Sequence, residues 1–288
     1  MKAIGPLFVA AGAVSYGLPA TLMKLANKQD SNVGNILFFL FLCSVIILFL
    51  LDKIISKKTN VARISYKKQI IMALSGISIA ITNCCYFLSL SYLPVAVVAV
   101  MLMQSVWLAM TLNCLLNRCL PSRLQVIIVL LILFGTILAT NLIAVQGTIS
   151  FYGLVLSFIA AFSYALTIQA TNKLLPELPP IKRASLMSIG AFIIIAAIFI
   201  PKLSLDTLIN DLKWGAIISI FAMVLPLTCL SFGMPKTPRG IGEIISSLEL
   251  PAAIIFAWLI LAEKINIMQL TGVIIIIIAV ILSQFQKK

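Results

Sequence analysis

The chain contains no histidine, so the commonest metal ligand and the usual general base are missing. Acid is scarce too: 8 Asp and Glu stand against 21 Lys and Arg, and only 10% of the residues are charged. No HExxH, GxSxG or phosphate-loop pattern occurs, which removes the zinc-hydrolase, serine-hydrolase and nucleotide-binding readings that those motifs carry. The six cysteines, Cys43, Cys84, Cys85, Cys114, Cys119 and Cys229, form no CxxC pair and fall in or beside apolar runs. A thiol in such a place serves as a small buried hydrophobe. We therefore expect no metal, no cofactor and no enzyme.

What the chain has in quantity is apolar length. Of its 288 residues 62% are hydrophobic, and the mean hydropathy is +1.16, whereas soluble domains run near half apolar and a quarter charged. A helix that crosses a bilayer needs about 20 apolar residues. Runs of that kind fall at 4–24, 33–51, 69–91, 95–116, 124–144, 153–172, 184–200, 214–233, 241–262 and 267–284. The expected fold class is an all-α membrane protein of ten transmembrane helices. Lys2 gives the first run the look of a signal peptide, but its partner later in the chain marks it as a permanent span.

The basic excess sorts by side. With the N-terminus in the cytoplasm, 16 of the 21 Lys and Arg fall in cytoplasmic segments, among them Lys53, Arg63, Lys68, Arg118, Arg123, Lys173, Arg183, Lys236 and Arg239. Only Lys24, Lys28, Lys202, Lys213 and Lys264 remain outside, offset by Asp30, Asp206, Asp211 and Glu263. This is the positive-inside pattern, with both termini cytoplasmic. Topology accounts for the charge, and nucleic acid is not expected as a partner.

The chain also repeats itself. Gly5 and the pair Ser15–Tyr16 recur as Gly153 and Ser163–Tyr164 at an offset of 148, and CYFLSLSYLP from Cys85 runs against CLSFGMPKTP from Cys229 at an offset of 144. The repeat divides the chain into two five-helix halves, 1–144 and 153–288, joined by a short uncharged linker at Val145–Gly153. Five is odd, so the second half enters the membrane inverted, as in many secondary transporters.

Two acids lie inside a span. Glu243 is two residues into the ninth, about 3 Å deep, and is read as complementing the helix N-terminus or meeting Lys236 or Arg239. Glu249 is about 12 Å along, near mid-membrane, where an ionisable group is a functional candidate by default. It shares a small-residue stripe with Gly242, Ser246 and Ala253, opposite an expected lipid-facing stripe of Ile244, Leu248, Ile255 and Leu259. Pro251 removes a backbone donor and frees the Ser247 carbonyl. Gln104 stands one position off the repeat mate of Glu249, with Trp107 one turn away. Each serves either as interhelical glue and packing or as cavity wall. Tyr16 and Tyr164 pair by repeat, and Asn83 and Tyr86 complete the set of candidate solute-binding residues, together with Ser246.

The segment ISSLELPAAIIFAWLILAEKINIMQL from Ile245 closely resembles the ninth helix and the start of the tenth in the drug/metabolite transporter superfamily, EamA type. The signature Leu-Glu-Leu-Pro falls on Leu248, Glu249 and Pro251, and the terminal acid on Glu263, with Ala262 in place of the usual glycine. The first half departs further, having Val106 where a proline is common and Arg118–Cys119 where the Gly-Glu pair would stand. The resemblance implies two inverted five-helix repeats around a central cavity lined chiefly by helices one, three, four, six, eight and nine. It also implies alternating access, and small organic metabolites, amino acids or drugs as solutes, in many members exported. The setting would be a bacterial cytoplasmic membrane, with a coupling proton as a candidate further partner. Two other classes stay open at this point: a membrane scaffold or lipid-binding subunit, and an intramembrane enzyme.

Overall fold

The computed structural model describes residues 4–58, 65–142, 150–204 and 206–284. Lys2, Arg63, Lys287 and Lys288, and residues 145–149 of the linker, lie outside them. The described residues are helical nearly throughout, as long apolar runs without a period of two require. Nine helices among them are long and apolar enough to cross a membrane: α1 Ile4–Asn27, α2 Val33–Ile55, α3 Tyr66–Ser89, α4 Val95–Asn117, α6 Phe151–Lys173, α7 Pro180–Phe199, α8 Leu208–Lys236, α9 Ile241–Leu261 and α10 Ile267–Gln284. The shorter apolar helix Arg123–Ala139 is α5; its 17 residues reach about 25 Å, most of a hydrocarbon core. The expected ten helices are thus all present.

Their packing has a two-fold pattern. Helix α1 lies against α8 and α9, and its repeat mate α6 lies against α3 and α4; α2 meets α7, and α5 meets α10. Every neighbour relation in that set has its partner under exchange of the halves. The glycines that open the two repeats show why this register is held: a Cβ at Gly5 would stand 2.7 Å from the Lys236 carbonyl carbon, and one at Gly153 would stand 2.6 Å from Leu93 Cγ. Each opens its helix where the end of α8, or the turn that follows its mate α3, comes too close for a side chain.

Four helices are interrupted, again in matching places. Helix α3 turns at Gly76 between Tyr66–Ser75 and Ile77–Ser89, and α8 widens into a π-segment at Ile220–Val224. Helix α4 turns at Gln104 between Val95–Met103 and Ser105–Asn117, and α9 breaks between Ile241–Ser246 and Glu249–Leu261. A break frees carbonyls that need donors. Ser15 donates to the Phe221 carbonyl at 3.2 Å and its mate Ser163 to the Ser78 carbonyl at 2.8 Å. The Ser of each Ser-Tyr pair thus anchors a broken helix of its own neighbourhood.

Three expectations need correction here. Ile244 is fully buried, not lipid-facing, because the break at Ser247–Leu248 re-aims the first segment of α9 and surrounds it with α1, α4, α5 and α10; Ile255 and Leu259, beyond the break, are exposed as expected. The Ser247 carbonyl does not stay free either, since the Leu250 N–H takes it at 3.3 Å in an i+3 turn. Arg183, sorted as a loop cation, is 1% exposed. It donates to the carbonyls of Ala170 and Thr171 at the end of α6 and to that of Ser231 in α8, where a cation complements a helix C-terminus.

Candidate functional site

Two cavities meet at Tyr16. The larger, about 320 Å³, is walled by α1, α4 and α9, with the near ends of α3, α5 and α10. It runs from Glu249 and Tyr16 out to Lys24, Glu263, Lys264 and Gln269, where Lys24 Nζ and Glu263 Oε1 form an ion pair of 2.9 Å between half-exposed side chains. The smaller, about 20 Å³, is enclosed by Tyr16, Asn83, Tyr164 and Thr167 with apolar residues of α8, room for about one water. The lining helices expected from the resemblance divide between the two: α6 and α8 reach only the smaller space, while α5 and α10 join the larger.

Glu249 sits at the floor of the larger cavity, 8% exposed. It opens the second segment of α9, so the break that shortens this helix also places the carboxylate at a helix N-terminus, where negative charge is stabilised. The Tyr164 hydroxyl donates to Glu249 Oε2 at 3.0 Å. Tyr16 and Tyr164 stack with ring centroids 5.8 Å apart and planes 15° from parallel, so the repeat-paired tyrosines meet face to face between the halves. Asn83 is a side-chain partner of Tyr16 and returns its Nδ2 to the Ile79 carbonyl at 2.9 Å. Tyr86 lines the larger cavity beside them. Glu249, Tyr16, Tyr164, Asn83 and Tyr86 are therefore brought together.

Three other candidates are not among the residues that line these cavities. Gln104 accepts from Trp107 Nε1 at 2.8 Å and donates to the Val100 carbonyl at 3.1 Å, closing its own break with its own neighbours. Ser246 is buried and bonds back to the Glu243 carbonyl at 2.6 Å.

Glu243 meets neither Lys236 nor Arg239 in a salt bridge. It is 1% exposed, and its Oε1 accepts from Asn113 Nδ2 at 2.6 Å and from Gln169 Nε2 at 3.0 Å. Because α9 begins inside the bundle, the Glu243 carboxylate turns to these amides, with Lys173 close by on the Asn113 carbonyl at 3.4 Å, and makes no ion pair with Lys236 or Arg239. Asn113 and Gln169 escaped the sequence reading, which sorted charged residues span by span; the same sorting applied to amides would have found both. Lys24 and Glu263 at the cavity mouth escaped for a different reason, since 239 positions separate them.

No curated protein sequence matches this chain. A solved structure described only as "Crystal structure of protein" superposes with a TM-score of 0.83 over 99% of this chain and 99% of its own, at 11% identity, a likeness of fold alone. The profile of the EamA-like transporter family matches twice, over residues 3–141 and 151–285. Two matches, one to each five-helix half, together span nearly the whole sequence, and the chain belongs to the EamA-like transporter family of membrane transporters.

Proposed function

We propose that this chain is a secondary transporter that moves a small organic solute by alternating access, binding it in the cavity above Glu249, with export as the direction of flux. The observation that carries the reading is a lone mid-span carboxylate at the floor of a cavity that opens at the Lys24 end of the bundle and is closed at the Lys173 end. The two repeats, 1–144 and 153–288, form its walls. At the mouth Lys24 and Glu263 neutralise one another and Lys264 adds a cation, so the Glu249 carboxylate is the charge a solute meets at the floor. A carboxylate repels anions at this range, so amine-bearing cations and zwitterions are the favoured solute class. Tyr16, Tyr86 and Asn83 supply ring faces and hydrogen bonds beside it, and the Glu249 carboxyl can hold either the solute's cation or a coupling proton.

The positive-inside count favours both termini in the cytoplasm, which makes the cavity outward-facing, and the setting we propose is a bacterial cytoplasmic membrane. Glu177→Cys, in a background without native cysteines, should then resist impermeant thiol reagents in intact cells; labelling there reverses the orientation. The function is tested by flux into proteoliposomes with radiolabelled organic cations, amino acids and organic anions. Saturable uptake of cations or zwitterions supports the reading, and absence of flux for every class sinks it in favour of a scaffold or lipid-binding role.

A further inference from the structure

The two ends of the bundle can be compared position by position. At the Lys173 end, Glu243 in α9, Asn113 in α4 and Gln169 in α6 form one buried cluster, and Gln169 also donates to the Ala109 carbonyl at 2.8 Å. The offsets of 144 for α4 and α9 and 148 for α1 and α6 carry these three positions to Ala99, Ala257 and Thr21. All three of those residues line the larger cavity. One end thus has three long polar side chains that bridge three helices, and the other has two methyl groups and a short hydroxyl around open space. The carboxylate accepts both amides through a single oxygen, so parting the three helices breaks both charge-assisted bonds at once.

We infer that Glu243, Asn113 and Gln169 are a latch that holds the Lys173 end of the bundle shut, and that opening the pathway there requires α4, α6 and α9 to part at this cluster. The inference rests on the transporter reading for its purpose but not for its test. Replacing each residue by its repeat mate, Glu243→Ala with Asn113→Ala and Gln169→Thr, gives the closed end the chemistry of the open one.

Two reporters read the result in full-length protein in liposomes, with the six native cysteines replaced by alanine: Ser246→Cys, buried one turn beyond Glu243, and Ala257→Cys on the cavity wall. An impermeant maleimide supplied at either side needs no solute and no transport. The latch predicts that the triple change speeds labelling of Ser246→Cys from the Lys173 side by about tenfold or more, since even one lost hydrogen bond to a carboxylate is of that scale, and slows labelling of Ala257→Cys from the other side. Glu243→Gln, which keeps an acceptor oxygen for both amides, should leave the two rates near their starting values. Unchanged labelling in the triple variant overturns the latch even if the protein transports; shifted labelling upholds it even if no solute is found. Should the triple variant not fold, Gln169→Thr alone carries the same expectation at smaller size.

Discussion

Helices α4 and α9 break at the same repeat position and use the break differently. In α4 the turn at Gln104 is filled from within: Trp107 and the Val100 carbonyl take both ends of the amide. In α9 the turn sets Glu249 at the start of a new helical segment, bonded across the bundle to Tyr164 and open to the cavity. One backbone device therefore serves two ends. A shared break shortens both helices symmetrically, but only the second half places a charge there, so the symmetry of the fold does not extend to its chemistry.

The largest expected effect tests that asymmetry directly. Glu249→Gln keeps the shape of the side chain and removes its charge; losing an ionic contact to the solute should cost flux about tenfold or more, with insertion and elution profile unchanged. Gln104→Leu, at the matching break, should change flux by less than about twofold, because a side chain satisfied within its own helix contributes about 0.6 kcal/mol or less to holding the bundle. If Gln104→Leu costs as much as Glu249→Gln, the two breaks are functionally equivalent and the comparison fails.

A second, smaller contrast lies within the stacked tyrosines. The Tyr164 hydroxyl orients Glu249, whereas that of Tyr16 is partnered by Asn83. Removing one hydrogen bond costs about 1 kcal/mol, or roughly fivefold. Proteoliposome flux with Tyr164→Phe should fall by that order, and with Tyr16→Phe by less, since the ring stack survives in both. Equal losses would mean that the hydroxyls act as one network rather than through the carboxylate.

Much of this arrangement could be read from the residues alone. Ten apolar runs of the right length admit little besides ten helices, and the recurrence of Gly5 with Ser15–Tyr16 at Gly153 with Ser163–Tyr164 marked the two halves and offered the tyrosines as cavity residues. The breaks were unevenly visible: Pro251 marked an interruption in α9, whereas Gly76 and Gln104 carry no strong local signal, and a turn inside an apolar helix is stabilised by distant donors such as Ser15 and Ser163. The misassignment of Ile244 to lipid followed from that, since a stripe drawn on an unbroken helix points the wrong way beyond a turn. The partners of Glu243 and Arg183 were hidden for the same kind of reason: a buried charge is satisfied by whatever the fold brings to it, here amides and carbonyls from other helices instead of the nearest ions in sequence.

The smallest effect is expected at the ion pairs that join the halves at opposite ends. Lys24 with Glu263 guards the cavity mouth, and Lys68 with Glu177 lies at the other end, with N–O distances of 2.9 and 3.1 Å. In the second pair Glu177 accepts a backbone hydrogen bond and one from Lys68, which hold its carboxyl below the usual carboxylate range. A carboxyl whose folded value is depressed adds stability above its unfolded value and loses it as pH falls through the folded one, so any contribution is complete at neutral pH and fades only in acid. Both side chains are about half exposed, and water and salt screen such pairs to little or nothing. Lys68→Ala should therefore leave the melting temperature at pH 7 within the error of a thermal scan, and any small difference from the parent should vanish in high salt and at low pH. A clear drop at pH 7 that high salt abolishes would show that the closed end is held by its surface charges as well as by the buried cluster at Glu243, whereas one that persists in salt would belong to packing of the Lys68 stem.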